Sequence, residues 1–124
     1  EWITMARILI IDDEELVRFS IADILTDDGH EVLEATNGKE AIALLEQQPV
    51  DLVITDILMP EQEGLETIAI LQDMWSELPI VAVSGGGRSG KLDFLGMAKE
   101  LGANATLSKP FTRDELMGTL AAYV

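Results

Sequence analysis

Three aspartates and a lysine stand where apolar runs end. Arg7-Ile8-Leu9-Ile10-Ile11 leads into Asp12-Asp13, Asp51-Leu52-Val53-Ile54-Thr55 leads into Asp56, and a late run ends in Lys109-Pro110. A solid apolar run is what a strand covered on both faces requires. In an open parallel sheet the carboxyl ends of the strands share one edge, and ligands bind there. Three acids and one amine gathered at that edge make a site for a divalent cation and a phosphoryl group. Carboxylates held within about 5 Å repel by ~3 kcal/mol per pair at an effective dielectric near 20, so such a cluster favours a bound cation or a shared proton. Mg²⁺ answers the problem, because it takes hard oxygen ligands and keeps waters that an incoming phosphate can replace. Mn²⁺ accepts the same donors. A plainer reading makes Asp12-Asp13 caps of the following helix, but it accounts for neither Asp56 nor Lys109.

The elements that must position these side chains alternate along the chain. Glu14 to Thr26 carries Val17, Ile21, Ile24 and Leu25 at helical spacing and stops at Gly29, which can take a left-handed cap. Glu31 to Ala35 reads as a short strand, and Asn37 as the cap of a helix with Ala41, Leu44 and Leu45 that ends before Pro49. After the strand Leu52 to Thr55, a helix opening near Gly64 carries Leu65, Ile68 and Leu71 to about Trp75. Pro79 to Val83 is a fourth strand, and a helix runs from about Lys91 to Leu101 and ends at Gly102. Ala105 to Leu107 is a weak fifth strand, and Thr112 caps a last helix with Leu116 and Leu120. Five successive strand–helix units predict an α/β fold, a parallel sheet with helices on both faces.

Composition sets outer bounds. The chain has 124 residues, 48% of them hydrophobic, which suffices for one domain with a real core. Its 23 acids outnumber 8 bases, for a net charge of -15. That balance disfavours direct binding to nucleic acid or to anionic lipid. There are no cysteines, hence no disulfide and no thiolate metal site. No membrane-length apolar stretch and no secretory signal pattern is visible, so a cytoplasmic protein is expected. Residues 1–4 precede Met5 and do not join the first strand pattern. We read them as an added segment or N-terminal extension, with 5–124 as the domain.

In several motifs together the chain resembles the receiver domain of bacterial two-component response regulators. The matching features are Asp12-Asp13, then Asp56 followed by Met59-Pro60 and Gly64, then Ser84 after the fourth strand, then Lys109-Pro110-Phe111. The resemblance covers about Met5 to Val124. It implies a flavodoxin-like doubly wound sandwich with strand order 2-1-3-4-5. It also implies that Asp56 takes a phosphoryl group from a phosphohistidine on a sensor histidine kinase or histidine phosphotransfer protein. Asp13, Asp56 and the backbone carbonyl of Leu58 would bind Mg²⁺, with Asp12 contributing through water. Ser84 and Lys109 would hold the phosphoryl oxygens, and the Lys109-Pro110 bond would be cis. Such a domain catalyses only its own phosphorylation and dephosphorylation, and passes the signal to a protein target through surfaces around the fourth and fifth helices.

This chain departs from the family pattern at Thr106, three residues before Lys109, where an aromatic is usual. Rotation of an aromatic ring therefore cannot be the readout at that position. The run Ser84 to Gly90 is rich in glycine, which loses extra backbone entropy when ordered, so a loop that orders on phosphorylation is expected. Residues 85–91, GGGRSGK, also match the phosphate-binding loop of nucleotide hydrolases. Against that reading, Leu92 stands where a magnesium-binding hydroxyl is needed, and Asp12, Asp13 and Lys109 would have no task. A non-phosphorylated interaction module is the third reading, and a complete set of acids and lysine argues against it. His30, the single histidine, reads as an exposed loop residue.

Overall fold

The computed structural model describes residues 6–57, 63–85 and 94–124. Five parallel strands, β1 (Arg7–Ile11), β2 (Glu31–Ala35), β3 (Leu52–Asp56), β4 (Ile80–Ser84) and β5 (Ala105–Ser108), form one sheet in the order β2-β1-β3-β4-β5. The three inner strands are almost wholly buried, whereas β2 and β5 at the edges are partly exposed. That difference explains why the inner strands read as unbroken apolar runs and β5 as a weak one.

The helices are α1 (Glu15–Asp27), α2 (Gly38–Gln47), α3 (Glu63–Met74), α4 (Phe94–Leu101) and α5 (Arg113–Leu120). Successive side chains of a strand point to opposite faces, so the sheet divides the core in two. Leu9, Ile11, Val53, Ile80 and Ala82 pack with Ala41 and Leu45 of α2, Ile68 and Leu71 of α3 and Ala98 of α4. Ile8, Ile10, Leu52, Ile54, Val81 and Val83 pack with Ile21 and Leu25 of α1 and Leu116 and Leu120 of α5. The apolar residues spaced along α1 in the sequence are thus the ones turned inward.

Local signals set the helix ends. Asn37 Oδ1 accepts from the Glu40 N–H at 2.8 Å, and Glu40 Oε1 in turn accepts from the Thr36 N–H and hydroxyl. Those bonds to Thr36 hold the Glu40 carboxyl below its ordinary range. Thr112 and Glu115 form a complete capping box at α5. Gly29, with φ 93°, makes the left-handed turn after α1. The expected start of the fourth helix near Lys91 and the glycine-rich loop beyond Gly85 lie outside the described residues.

His30 differs from its reading as an exposed residue. Its side chain is only 8% exposed, because Nδ1 accepts from the Ala6 N–H at 3.2 Å and Nε2 lies 3.4 Å from Asp28 Oδ2. A turn residue can be buried when the neighbouring strand start needs an acceptor, and sequence spacing does not show that.

Candidate functional site

Strand register brings the chemistry to one edge. Ile11 is level with Thr55, which puts Asp12 beside Asp56. Asp56 pairs with Val83, and Ser84 pairs with Ser108, the residue before Lys109. The Lys109 N–H donates to the Ser84 carbonyl at 2.8 Å, which anchors the β5–α5 connection on β4. The Lys109-Pro110 peptide bond is cis.

The side chains converge. Carboxylate oxygens of Asp12, Asp13 and Asp56 all lie within 4.8 Å of one another. Lys109 reaches in from the other side, its Nζ 3.4 Å from Asp12 Oδ2 and 3.6 Å from Asp56 Oδ2. Burial sorts the acids: Asp12 and Asp56 are 2% and 4% exposed, whereas Asp13 faces solvent. Ser84, also buried, ends β4 at the same edge. Leu58, whose carbonyl was expected among the metal ligands, lies outside the described residues.

Asp12 is held at every polar atom. Its N–H donates to the Ala35 carbonyl at 3.1 Å, and its carbonyl accepts from Arg18 Nη1 at 2.8 Å. Oδ1 accepts from the Glu14 N–H at 2.8 Å, and Oδ2 from Lys109. Burial pushes the Asp12 carboxyl above the ordinary carboxylate range, opposed by the Glu14 N–H and reinforced by the charge of Asp56. Asp12 does not cap α1; Glu14 occupies that position without a side-chain capping bond.

Gly64 is part of the site's construction. It lies in the first turn of α3, where the sequence placed the helix start, and a Cβ there would stand 2.6 Å from the Asp56 carbonyl oxygen and closer still to Ile57 Cα. Only a residue without a side chain lets the helix start so near the end of β3.

The donor set fits a small hard cation. Three carboxylates face one ammonium, all donors are oxygen, and Asp13 leaves the cluster open to water; this is the chemistry Mg²⁺ takes. Sequence reasoning missed Arg18 and Glu34, which brace the Asp12 loop from outside. A lone arginine on α1 carries no signal, because its partners are a backbone carbonyl and a residue on another strand.

A family model described as the response regulator receiver domain matches residues 8–121. The chain belongs to the response regulator receiver family. It is therefore a signalling domain of two-component systems, and the phosphate-loop reading of residues 85–91 is left without support. The receiver domain is 27% identical to sporulation initiation phosphotransferase F of Bacillus subtilis, with 95% of the chain and 93% of that protein covered. It is 33% identical to the CAI-1 autoinducer sensor kinase/phosphatase CqsS of Vibrio cholerae, covering 95% of the chain but 17% of that protein. Among solved structures, chemotaxis protein CheY4 of Vibrio cholerae superposes with a TM-score of 0.85 at 29% identity, covering 98% of the chain and 100% of that structure. NtrX from Brucella abortus gives 0.88 at 31% identity, with 97% and 27% covered. The receiver domain thus spans nearly all of some relatives and a minor part of others. No helix among the described residues is long and apolar enough to cross a membrane.

Proposed function

We propose that Asp56 is the phosphoacceptor of this receiver domain, that Asp12, Asp13 and Asp56 hold Mg²⁺ with the Leu58 carbonyl, and that Ser84 and Lys109 bind the phosphoryl oxygens. One observation carries the reading: the Lys109 ammonium sits against both buried acids, at a sheet edge where a third acid stays open to solvent. When bound, the cation would neutralise charge on the acids and on the phosphoryl group. The protein's part is alignment and fixed charge, which is most of what phosphoryl transfer needs. A carboxylate oxygen of Asp56 bonds to phosphorus as the bond from phosphorus to the donor nitrogen breaks. Lys109 stands where it can balance charge on the transferred oxygens. The resulting mixed anhydride is open to hydrolysis, so the domain turns over only its own phosphoryl group.

A sensor histidine kinase or histidine phosphotransfer protein is the donor in this reading, acting in the cytoplasm. Relatives named as a phosphotransferase and a sensor kinase/phosphatase support it. So does a hollow of about 480 Å³ beside the site, bounded by Leu16, Val17, Ile21, Lys109 and Phe111. Leu16, which bounds the hollow, is 82% exposed, and Phe19 on the same helix is 66% exposed. New phosphoryl contacts at Ser84 and Lys109 would bias the connections that follow β4 and β5, and through them the surface of α4 and α5. Residues 5–124 form the domain, with 1–4 outside it.

The test is intact-mass spectrometry after incubation with acetyl phosphate and Mg²⁺. The expected result is a single phosphoryl adduct that is absent in Asp56→Asn and absent when EDTA replaces Mg²⁺. An adduct retained in Asp56→Asn would move the nucleophile elsewhere.

A further inference from the structure

Asp13 is the acid that the structure leaves least constrained. It is exposed, and among the described residues its carboxylate takes part in no hydrogen bond or ion pair. Its oxygen nevertheless lies within 4.8 Å of those of Asp12 and Asp56. Something other than its own side-chain contacts must therefore set its direction. A peptide unit is planar, so the Asp12 carbonyl and the Asp13 nitrogen turn together. That carbonyl is gripped by Arg18 Nη1 at 2.8 Å. The other arm of the guanidinium is tied down: Nε donates to Glu34 Oε1 on β2 at 3.1 Å, and the Arg18 side chain is only 14% exposed. On the near side, the Asp12 N–H is fixed by the Ala35 carbonyl, also on β2.

We infer that Arg18, anchored by Glu34, is a positioning residue that sets the Asp12-Asp13 peptide plane and so aims Asp13 into the cation site. The inference rests on the magnesium reading given above. A planar fork is suited to the task, since two of its donors serve the carbonyl and the carboxylate at once. Lysine carries the charge but has no rigid fork.

Charge and geometry predict different outcomes, which makes the role testable. Removing a cation whose guanidinium lies 2.8 Å from the Asp12 carbonyl should tighten Mg²⁺ binding, or leave it unchanged, if Arg18 acts only through its charge. If it positions Asp13, Mg²⁺ binding should weaken, by about tenfold, the lower end of what loss of a supporting contact around a metal site costs. The experiment is isothermal titration of the whole chain with MgCl2, comparing the unsubstituted protein with Arg18→Met and Arg18→Lys well below their melting temperatures. Amide NMR shifts of residue 13 give a second reading of the same equilibrium. Both variants are expected to bind Mg²⁺ about tenfold more weakly, with the residue 13 amide displaced before any metal is added. Leu45→Ala, which loosens α2 beside Pro49 and Pro79 at the opposite ends of the strands, should keep the unsubstituted affinity and so separates positioning from general destabilisation. Equal or tighter binding by Arg18→Met would overturn the inference, and so would unchanged binding by Arg18→Lys. If Arg18→Met does not fold, Arg18→Lys decides. A failure of the unsubstituted chain to bind Mg²⁺ would overturn the magnesium reading, and the inference with it.

Discussion

Asp12 has a partner for each of its polar atoms and is still an electrostatic burden on the fold. Burial, followed by the charge of Asp56, raises its carboxyl above the ordinary range, and the contacts from the Glu14 N–H and Lys109 only partly offset this. The folded protein thus holds the Asp12 proton more tightly than the unfolded chain does. The sign follows from linkage: stabilisation from the protonated acid is complete below the unfolded value near 3.8 and disappears as pH rises through the raised folded value. Ionising Asp12 in the folded protein therefore carries a cost that the unfolded chain does not bear. Asp12→Asn keeps an oxygen for the Glu14 N–H and removes the charge. The metal-free protein should gain about 1 kcal/mol, or a few degrees in melting temperature. That gain should shrink as pH falls through the raised folded value of Asp12. Melting curves in EDTA at neutral and acidic pH check this, and a gain independent of pH would show that repulsion is not the cause. The resemblance gave Asp13 a direct and Asp12 a water-mediated part in holding the cation, but nothing in the sequence assigned them different burial. Their division into a buried and an open acid comes from β1 ending one residue earlier, with Asp12 still bonded to Ala35 on β2.

At the scale of elements, helix α3 and strand β3 meet at Gly64. An added methyl would collide with the Asp56 carbonyl and with Ile57 Cα, both backbone atoms that cannot rotate away. Gly64→Ala must push the start of α3 off the sheet or tilt the end of β3, and the second of these moves Asp56. We expect a loss of about 2–4 kcal/mol on urea unfolding, larger than an exposed helical Gly→Ala change would suggest and opposite in sign. Phosphorylation by acetyl phosphate should slow in parallel. A neutral or stabilised variant would show that the helix end yields freely. The sequence placed the opening of the helix near Gly64, and α3 does begin there, at Glu63. The steric reason emerges only when the two backbones are seen together. Caps were read more reliably: Asn37 and Thr112 act within three residues of themselves, so local sequence contains the whole interaction.

For the whole molecule the governing quantities are charge and linkage. A chain of net charge -15 that gathers three acids at one edge should be stabilised by any ligand that binds this cluster only in the folded state. At Mg²⁺ one hundred times its dissociation constant, the gain is about 2.7 kcal/mol. General salt also relieves repulsion by screening. The specific part is therefore the difference between MgCl2 and NaCl at equal ionic strength, measured by thermal melting. That difference should be positive for the unsubstituted protein and largely lost in Asp13→Ala. Identical shifts with the two salts would leave screening as the whole effect.

Hydrophobic periodicity and turn chemistry are local, so the sequence alone determined the alternation of strands and helices, the parallel sheet, and the placing of Asp12, Asp13, Asp56, Ser84 and Lys109 at strand ends. Register then made those ends coincide, as a parallel sheet requires. Tertiary structure alone decided how deep each acid lies, how Lys109 spans two of them, how closely α3 meets the end of β3 at Gly64, why His30 is enclosed, and that Arg18 and Glu34 brace the acidic loop. Those properties depend on contacts between segments far apart in the chain. Their energies are set by distance and exclusion of water, which the spacing of residues along the chain does not encode.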